Sequence, residues 1–278
     1  MEIIRYQNFD EERALYGVKD VTVAECTFDG PADGESALKE AAHVTVEDCT
    51  FRLRYPFWHT RDFVLRRSTM TDTCRAPLWY AENGVIEDCT VEGVKCLREC
   101  DGMTLRRMTV KSEEFGWRCR GLTIEESDME AVYFLFECRD VTVKNLTMRG
   151  KYSFQYVENM TIEDSVLDTK DAFWHAKNVT VKNSVVKGEY LGWYSENLTL
   201  INCKISGTQP FCYCKNLTLI DCETDGCDLA FERSTVNASV NGHIVSVKNP
   251  ISGRITADSI GEVIREFASD CVVEVREE

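Results

Sequence analysis

Glu99, Arg118 and Glu137 stand 19 residues apart in a chain of 278, and a carboxylate, a guanidinium and a second carboxylate at one fixed interval have two chemical readings. If each member sits one layer above the last, the carboxyl groups are separated by roughly 9 to 10 Å, the upper edge of the spacing between acid and base in an inverting glycosidase. The same three side chains also make an ion-pair ladder that needs no substrate. His175 falls on this interval between Tyr156 and Tyr194, where an imidazole would carry a proton near neutral pH or simply stack between phenols. Candidate ligand-binding residues repeat at the same interval: Tyr133, Tyr152, Asp171 and Tyr190 in one phase, Phe154 and Phe173 in a second, Tyr156, Tyr194 and Tyr213 in a third. Large rings with polar tips on one surface mark a binding face, and a straight row of them suits a chain-like saccharide.

The element that must position these residues is a repeat. Leu122-Thr-Ile-Glu-Glu-Ser-Asp-Met129 returns as Val141 to Met148, Met160 to Leu167, Val179 to Val186, Leu198 to Ile205 and Leu217 to Thr224. A period near twenty, rich in β-branched residues in alternation and without helical spacing, predicts a solenoid in which each repeat is one coil. The leucine and asparagine framework of leucine-rich repeats is missing, so the expected fold is all-β: a single-stranded, right-handed parallel β-helix of about eleven coils. These begin at Val21, Val44, Phe63, Gly84, Met103, Leu122, Val141, Met160, Val179, Leu198 and Leu217. The hand follows from the rule for parallel connections.

Charge supports the stacking. At the fourth position of successive coils stand Glu47, Arg66, Glu87, Arg106, Glu125, Lys144, Glu163 and Lys182, an alternation of sign that in-register strands would turn into favourable neighbours. The first, third, sixth and eighth positions are the inward ones, and threonine at the second faces out. Asn159, Asn178, Asn197 and Asn216 mark a corner whose backbone is expected at positive φ.

Positions twelve to seventeen form another face. The fifteenth reads Trp58, Trp79, Arg98, Trp117, Phe136, Gln155, Trp174, Trp193, and the fourteenth includes Phe57, Phe154, Phe173 and Phe211. Adjacent residues of a strand point to opposite sides, and the small residues at the seventeenth position set the phase. By alternation the tryptophan row is expected inside and the fourteenth row outside, beside the twelfth and sixteenth.

With 44% hydrophobic residues and one uninterrupted repeat, residues 1–278 are expected to form a single β-helix domain. Residues 1–20 would be an N-terminal cap, 21–235 the coils, and 236–278 an irregular last coil with a C-terminal cap. Short capping helices are expected at Asp10 to Tyr16 and Asp258 to Ala268, with a helical turn at Ser36 to Ala42 and a closing strand at Cys271 to Val275. The start lacks the features of a signal peptide, which points to the cytoplasm. Most of the fourteen cysteines fall on inward positions and read as core, since Cys96 with Cys100 and Cys212 with Cys214 are not spaced like a zinc site. No metal or other cofactor is implied. A net charge of -15 disfavours nucleic acid and anionic membranes as partners. It also disfavours polyuronates unless a cation intervenes.

The repeat core, together with Val247-Lys-Asn-Pro-Ile-Ser-Gly-Arg-Ile-Thr-Ala257 and Ile260-Gly-Glu-Val-Ile264, resembles an uncharacterised bacterial family, domain of unknown function 3737. That resemblance covers essentially the whole chain and implies the architecture of pectin-lyase-like β-helices, but no established activity. Glu223-Thr-Asp-Gly-Cys-Asp228 with His243 and Arg254 is similar to scraps of the polygalacturonase pattern but departs from it at several places. The expected function is saccharide binding or processing, of hydrolase or lyase type, along the aromatic face. The alternative is a non-catalytic binding protein, or a homo-oligomer assembled through that face.

Overall fold

A computed structural model describes residues 2–30 and 36–277. They form two compact units, Met1–Thr142 and Val143–Glu278, each a parallel β-solenoid. In the first, Glu2 lies opposite Val21, Thr22 opposite Thr45, Thr45 opposite Val64, Phe63 opposite Gly84, Val85 opposite Thr104 and Thr104 opposite Thr123. In the second, Met160 lies opposite Val179, Val179 opposite Leu198, Thr199 opposite Thr218, Leu217 opposite Val236, Val236 opposite Gly253 and Gly253 opposite Cys271. The two units together make about fourteen turns. The excess over eleven comes from Glu2, Val236 and Gly253, where the sequence repeat has decayed but the strand register has not, while Asp270–Val275 is the closing strand expected there.

The coil shape follows from side-chain volume and a few left-handed residues. Val141, Val143, Leu146 and Met148 are buried, as are Leu198, Leu200, Cys203 and Ile205. Between those two inward pairs the chain must turn, and it does so at the fifth position, where Asp48, Arg67, Asp88, Arg107, Asp164, Asn183 and Asn202 all have φ between 46° and 56°. At the corner before each coil Asn159, Asn178, Asn197 and Asn216 have φ of 54° to 60°. Their amides form a ladder, Asn178 to Asn159 at 3.1 Å, then Asn197 to Asn178 and Asn216 to Asn197 at 2.8 Å.

A left-handed corner leaves the next amide pointing along the solenoid axis, and small polar side chains meet it. Cys49 N donates to Ser68 Oγ at 3.0 Å, Ser68 N to Cys89 Sγ at 3.4 Å, and Ser165 N to Ser184 Oγ at 3.1 Å. At the seventeenth position Thr60 Oγ1 donates to Leu38 O at 2.8 Å and Cys138 Sγ to Gly116 O at 3.2 Å. Cysteine thus alternates with serine and threonine because each completes a rung while filling little core volume. All fourteen cysteines are free and buried, and burial pushes the Cys49 and Cys74 thiols up to about 12, which keeps them protonated donors.

The fourth-position column is an ion-pair ladder in the first unit, with Arg66 to Glu87 at 3.1 Å and Arg106 to Glu125 at 2.7 Å. In the second unit Lys182 meets Glu163 at 3.3 Å.

No helix occurs among the described residues, so none is long and apolar enough to cross a membrane. The three expected helical segments are corrected by their hydrogen bonds. In the first, Leu15 N and Gly17 N donate at 2.8 Å to Ala37 O and Lys39 O of the next coil instead of to residues four back. In the second, Ser36 N, Leu38 N and Glu40 N reach Arg54 O, Pro56 O and Trp58 O, and Ser36 itself has φ 65°. The third lies mostly within the strand Ser252–Ile264, where Ser259 to Ile264 pair with His243 to Lys248 of the preceding strand. Val263 and Phe267 of that segment are 41% and 36% exposed. In each case inter-coil backbone pairing satisfied the same groups that a helix would have satisfied within itself.

Candidate functional site

The candidate face of the second unit is made by positions twelve to sixteen, where the backbone departs from strand geometry. Asp171, Phe173 and His175 have φ of 51°, 62° and 54°, and Tyr190, Gly192 and Tyr194 repeat the pattern at 56°, 73° and 59°. A left-handed residue reverses the usual side-to-side alternation. Phe173 N therefore donates back to Ser153 O at 2.9 Å, while His175 N donates forward to Trp193 O at 3.0 Å.

This twist overturns the expected phase. Phe154 and Phe173 are 0% and 1% exposed and stack on each other at 4.9 Å within the core, so neither is a surface residue. Trp174 and Trp193, expected in the core, are half-buried and stacked at 5.5 Å. Their indole N–H groups donate to Tyr190 O at 2.7 Å and Gln209 O at 2.8 Å. Sequence reasoning missed them as surface residues, although a buried indole needs a hydrogen-bond acceptor and that need was a usable signal.

The sixteenth position does face solvent. Tyr156, His175, Tyr194 and Tyr213 form a pile with ring centroids 4.9, 5.0 and 4.8 Å apart and planes within 11° of parallel. Tyr156 is 48% exposed and Tyr194 46%. The rise between coils nearly equals the contact distance of stacked rings, so each ring covers its neighbour's face. What the pile offers is therefore a row of edges with phenol oxygens and imidazole nitrogens, in place of the flat platforms that a sugar ring would stack on. Burial and the nearby Glu232 carboxylate raise the Tyr213 phenol above its ordinary value, so it stays a donor.

Beside the pile, Tyr190 packs edge-on against Trp193 at 5.4 Å and carries Lys170 Nζ over its ring at 5.3 Å. Lys151 Nζ lies 4.9 Å over Tyr152. Asp171, in the same column as Tyr152 and Tyr190, is 8% exposed. Burial raises its carboxyl above the ordinary range, against the pull of Lys170 and Lys151. Neighbouring carboxylates are engaged, Glu189 by Lys170 at 2.6 Å and Asp168 by Lys187 at 2.9 Å.

Glu99, Arg118, Glu137 and Tyr133 lie in the first unit, with the same backbone and different chemistry. Glu99, Arg118 and Glu137 have φ of 51° to 54°, and Arg118 Nε meets Glu137 at 2.7 Å. Tyr133 packs 5.9 Å from Trp117. Of the residues similar to polygalacturonase scraps, His243 Nδ1 lies 2.9 Å from Ser259 Oγ and Asp228 keeps one buried, unpartnered carboxylate oxygen. No group of three or more metal-ligating side chains occurs among the described residues.

The fold and this face define an all-parallel β-solenoid protein with an edge-presenting aromatic row. The family described as "Protein of unknown function (DUF3737)" matches residues 2–274, and the chain belongs to that family. Comparison with curated proteins gives no match. Among solved structures the chain is similar to a PL6 alginate lyase in complex with a trisaccharide, at 8% identity and a TM-score of 0.50, over 98% of this chain and 81% of that one. It is also similar to PfbA, a surface adhesin of Streptococcus pneumoniae (8% identity, TM-score 0.42, 84% and 72% covered). A third is the A-module of the Azotobacter vinelandii mannuronan C-5 epimerase AlgE4 (12%, 0.38, 97% and 89%). At such identities the alginate lyase shows the fold alone, and the other two superpose too loosely to carry more.

Proposed function

We propose that the protein binds an extended saccharide along the row Tyr156, His175, Tyr194 and Tyr213. The observation that carries this reading is the pile itself: four solvent-facing rings at a constant step near 5 Å, each bringing one polar group to the surface. An extended polysaccharide advances by a similar step per sugar, so its hydroxyls would meet these groups in register. Tyr190 and Asp171 flank the row, and the Asp171 carboxyl, with a raised proton affinity, would donate or accept according to pH. The reading is binding and not cleavage, because glycoside hydrolysis needs two carboxyl groups with opposed roles and the acids beside Asp171 are held by lysines. The fourteen free thiols support a reducing compartment, consistent with the cytoplasm.

Replacing His175 and Tyr194 together by alanine should leave folding near normal and weaken binding to a glycan identified on an array about tenfold or more. Unchanged glycan binding by the folded variant would sink the proposal. If instead light scattering shows that the wild-type protein self-associates and the variant does not, the row is a homo-oligomer interface.

A further inference from the structure

A groove of about 440 Å³ opens on the first unit, lined by Gly17, Lys19, Glu40, His59, Arg61, Tyr80 and Glu82. These residues come from four successive coils, so the groove runs along the solenoid axis over roughly three inter-strand steps, about 14 Å. Its walls are the sixteenth-position column, Glu40, His59 and Tyr80, and the column two residues on, Lys19, Ala42, Arg61 and Glu82. In that second column Lys19 and Arg61 each pair by backbone with Ala42, which brings only a methyl group between two long cations. Gly17 adds none, and a Cβ built there would meet no atom within 4 Å. The hollow is therefore encoded by small residues in otherwise charged columns.

Opposed charges on this unit do not all close into ion pairs: among the described residues Lys111 lies opposite Glu130 without one, and the groove holds a second such pair. Arg61 lies directly opposite Glu82 on the same two strands that bring Arg66 opposite Glu87. The second pair closes to 3.1 Å, whereas among the described residues Arg61 and Glu82 form no ion pair, and neither does Lys19. Glu40 accepts a hydrogen bond from Tyr16 Oη at 2.8 Å on one oxygen, Oε2. His59 and Tyr80 stack at 4.9 Å and present their edges to the same space. Two cations, two carboxylates, a phenol and an imidazole thus converge on one groove with most of their hydrogen-bonding capacity unspent.

We infer that this groove is a second binding site, for a short segment of a neutral oligosaccharide. A volume in the range of ligand sites and polar groups of both signs suit vicinal hydroxyls, which donate to Glu40 and Glu82 and accept from Lys19 and Arg61. The site's own charges cancel, and the net charge of -15 acts against an anionic sugar chain. The inference does not rest on the ring pile of the second unit, and the two have separate reporters, since the chain has four histidines, of which one lies in each site.

The test follows the imidazole resonances of the full-length protein by NMR while neutral β-linked glucan, mannan and xylan oligosaccharides, and an oligouronate of equal length, are added in turn. At least one neutral sugar should shift the His59 signals saturably, and the oligouronate should not. Arg61→Ala with Glu82→Ala should weaken that sugar about tenfold or more, and Arg61→Lys with Glu82→Gln, which keeps the side-chain volumes, should weaken it less. His59 signals unmoved by all neutral sugars, moved only by the oligouronate, or moved equally in the alanine variant would each overturn the inference. Shifts confined to His175 would overturn it while leaving the ring row standing.

Discussion

The sixteenth-position column is the same backbone in both units and two different surfaces. In the first unit Glu99, Arg118 and Glu137 place charges at φ near 52° and Arg118 closes on Glu137. In the second, Tyr156, His175, Tyr194 and Tyr213 occupy equivalent corners at φ of 54° to 61° and pile ring upon ring. Hydrogen bonds to the next coil hold the corner in both, as with Arg118 N to Phe136 O and Tyr156 N to Trp174 O. The coil thus fixes where the side chain stands and leaves its chemistry to be chosen, provided it is not β-branched.

The largest expected effect separates the two sides of that corner. Phe173→Ala removes a core ring and should cost about 3 to 5 kcal/mol, read as a large fall in the urea midpoint, while His175→Ala two residues on should cost far less. Equal losses would mean that the pile is part of the core.

If the corner backbone is common to the units, Tyr194→Val and Arg118→Val should both cost about 1 to 3 kcal/mol, since a β-branched residue resists positive φ. Asparagine at either place should fold nearly as well as wild type. A valine penalty in one unit only would break the equivalence.

Tryptophan offers a finer contrast. Trp193→Phe loses a hydrogen bond made at 2.8 Å and should cost about 1 kcal/mol on that account. Trp79→Phe removes an indole N–H that is buried without a partner, so thermal denaturation should find it the milder change.

The smallest effects are in pH dependence, and their signs are opposite. The Asp171 carboxyl is raised above its ordinary 3.8 by burial, so its contribution to stability is present below that value and lost as pH rises through the raised one. Asp171→Asn should therefore gain on wild type between about pH 4 and 7. Arg107 holds Asp88 below 3.8 through a hydrogen bond at 2.6 Å, so its contribution is present above that value and lost as pH falls. Asp88→Asn should be the less stable protein at pH 7 and converge with wild type in acid. Melting temperatures of the pairs across that range check both signs.

The 19-residue period, the inward positions, the asparagine corners and the charge column were legible from residue order alone. Each depends on a local rule, alternation or tolerance of positive φ, repeated often enough to be unambiguous. Three things were not. The added coils at Glu2, Val236 and Gly253 carry little repeat signal, and their register comes from hydrogen bonds to the coil beside them. Segments such as Asp258 to Ala268 have helical spacing in isolation but run beside a strand, His243 to Lys248, that already offers backbone partners. The phase of Phe173 and His175 depended on three left-handed residues of ordinary type in one short segment, Asp171, Phe173 and His175. Such residues pay a local strain that only bonds to the coils above and below return, so which ring is buried and which meets solvent was decided by stacking.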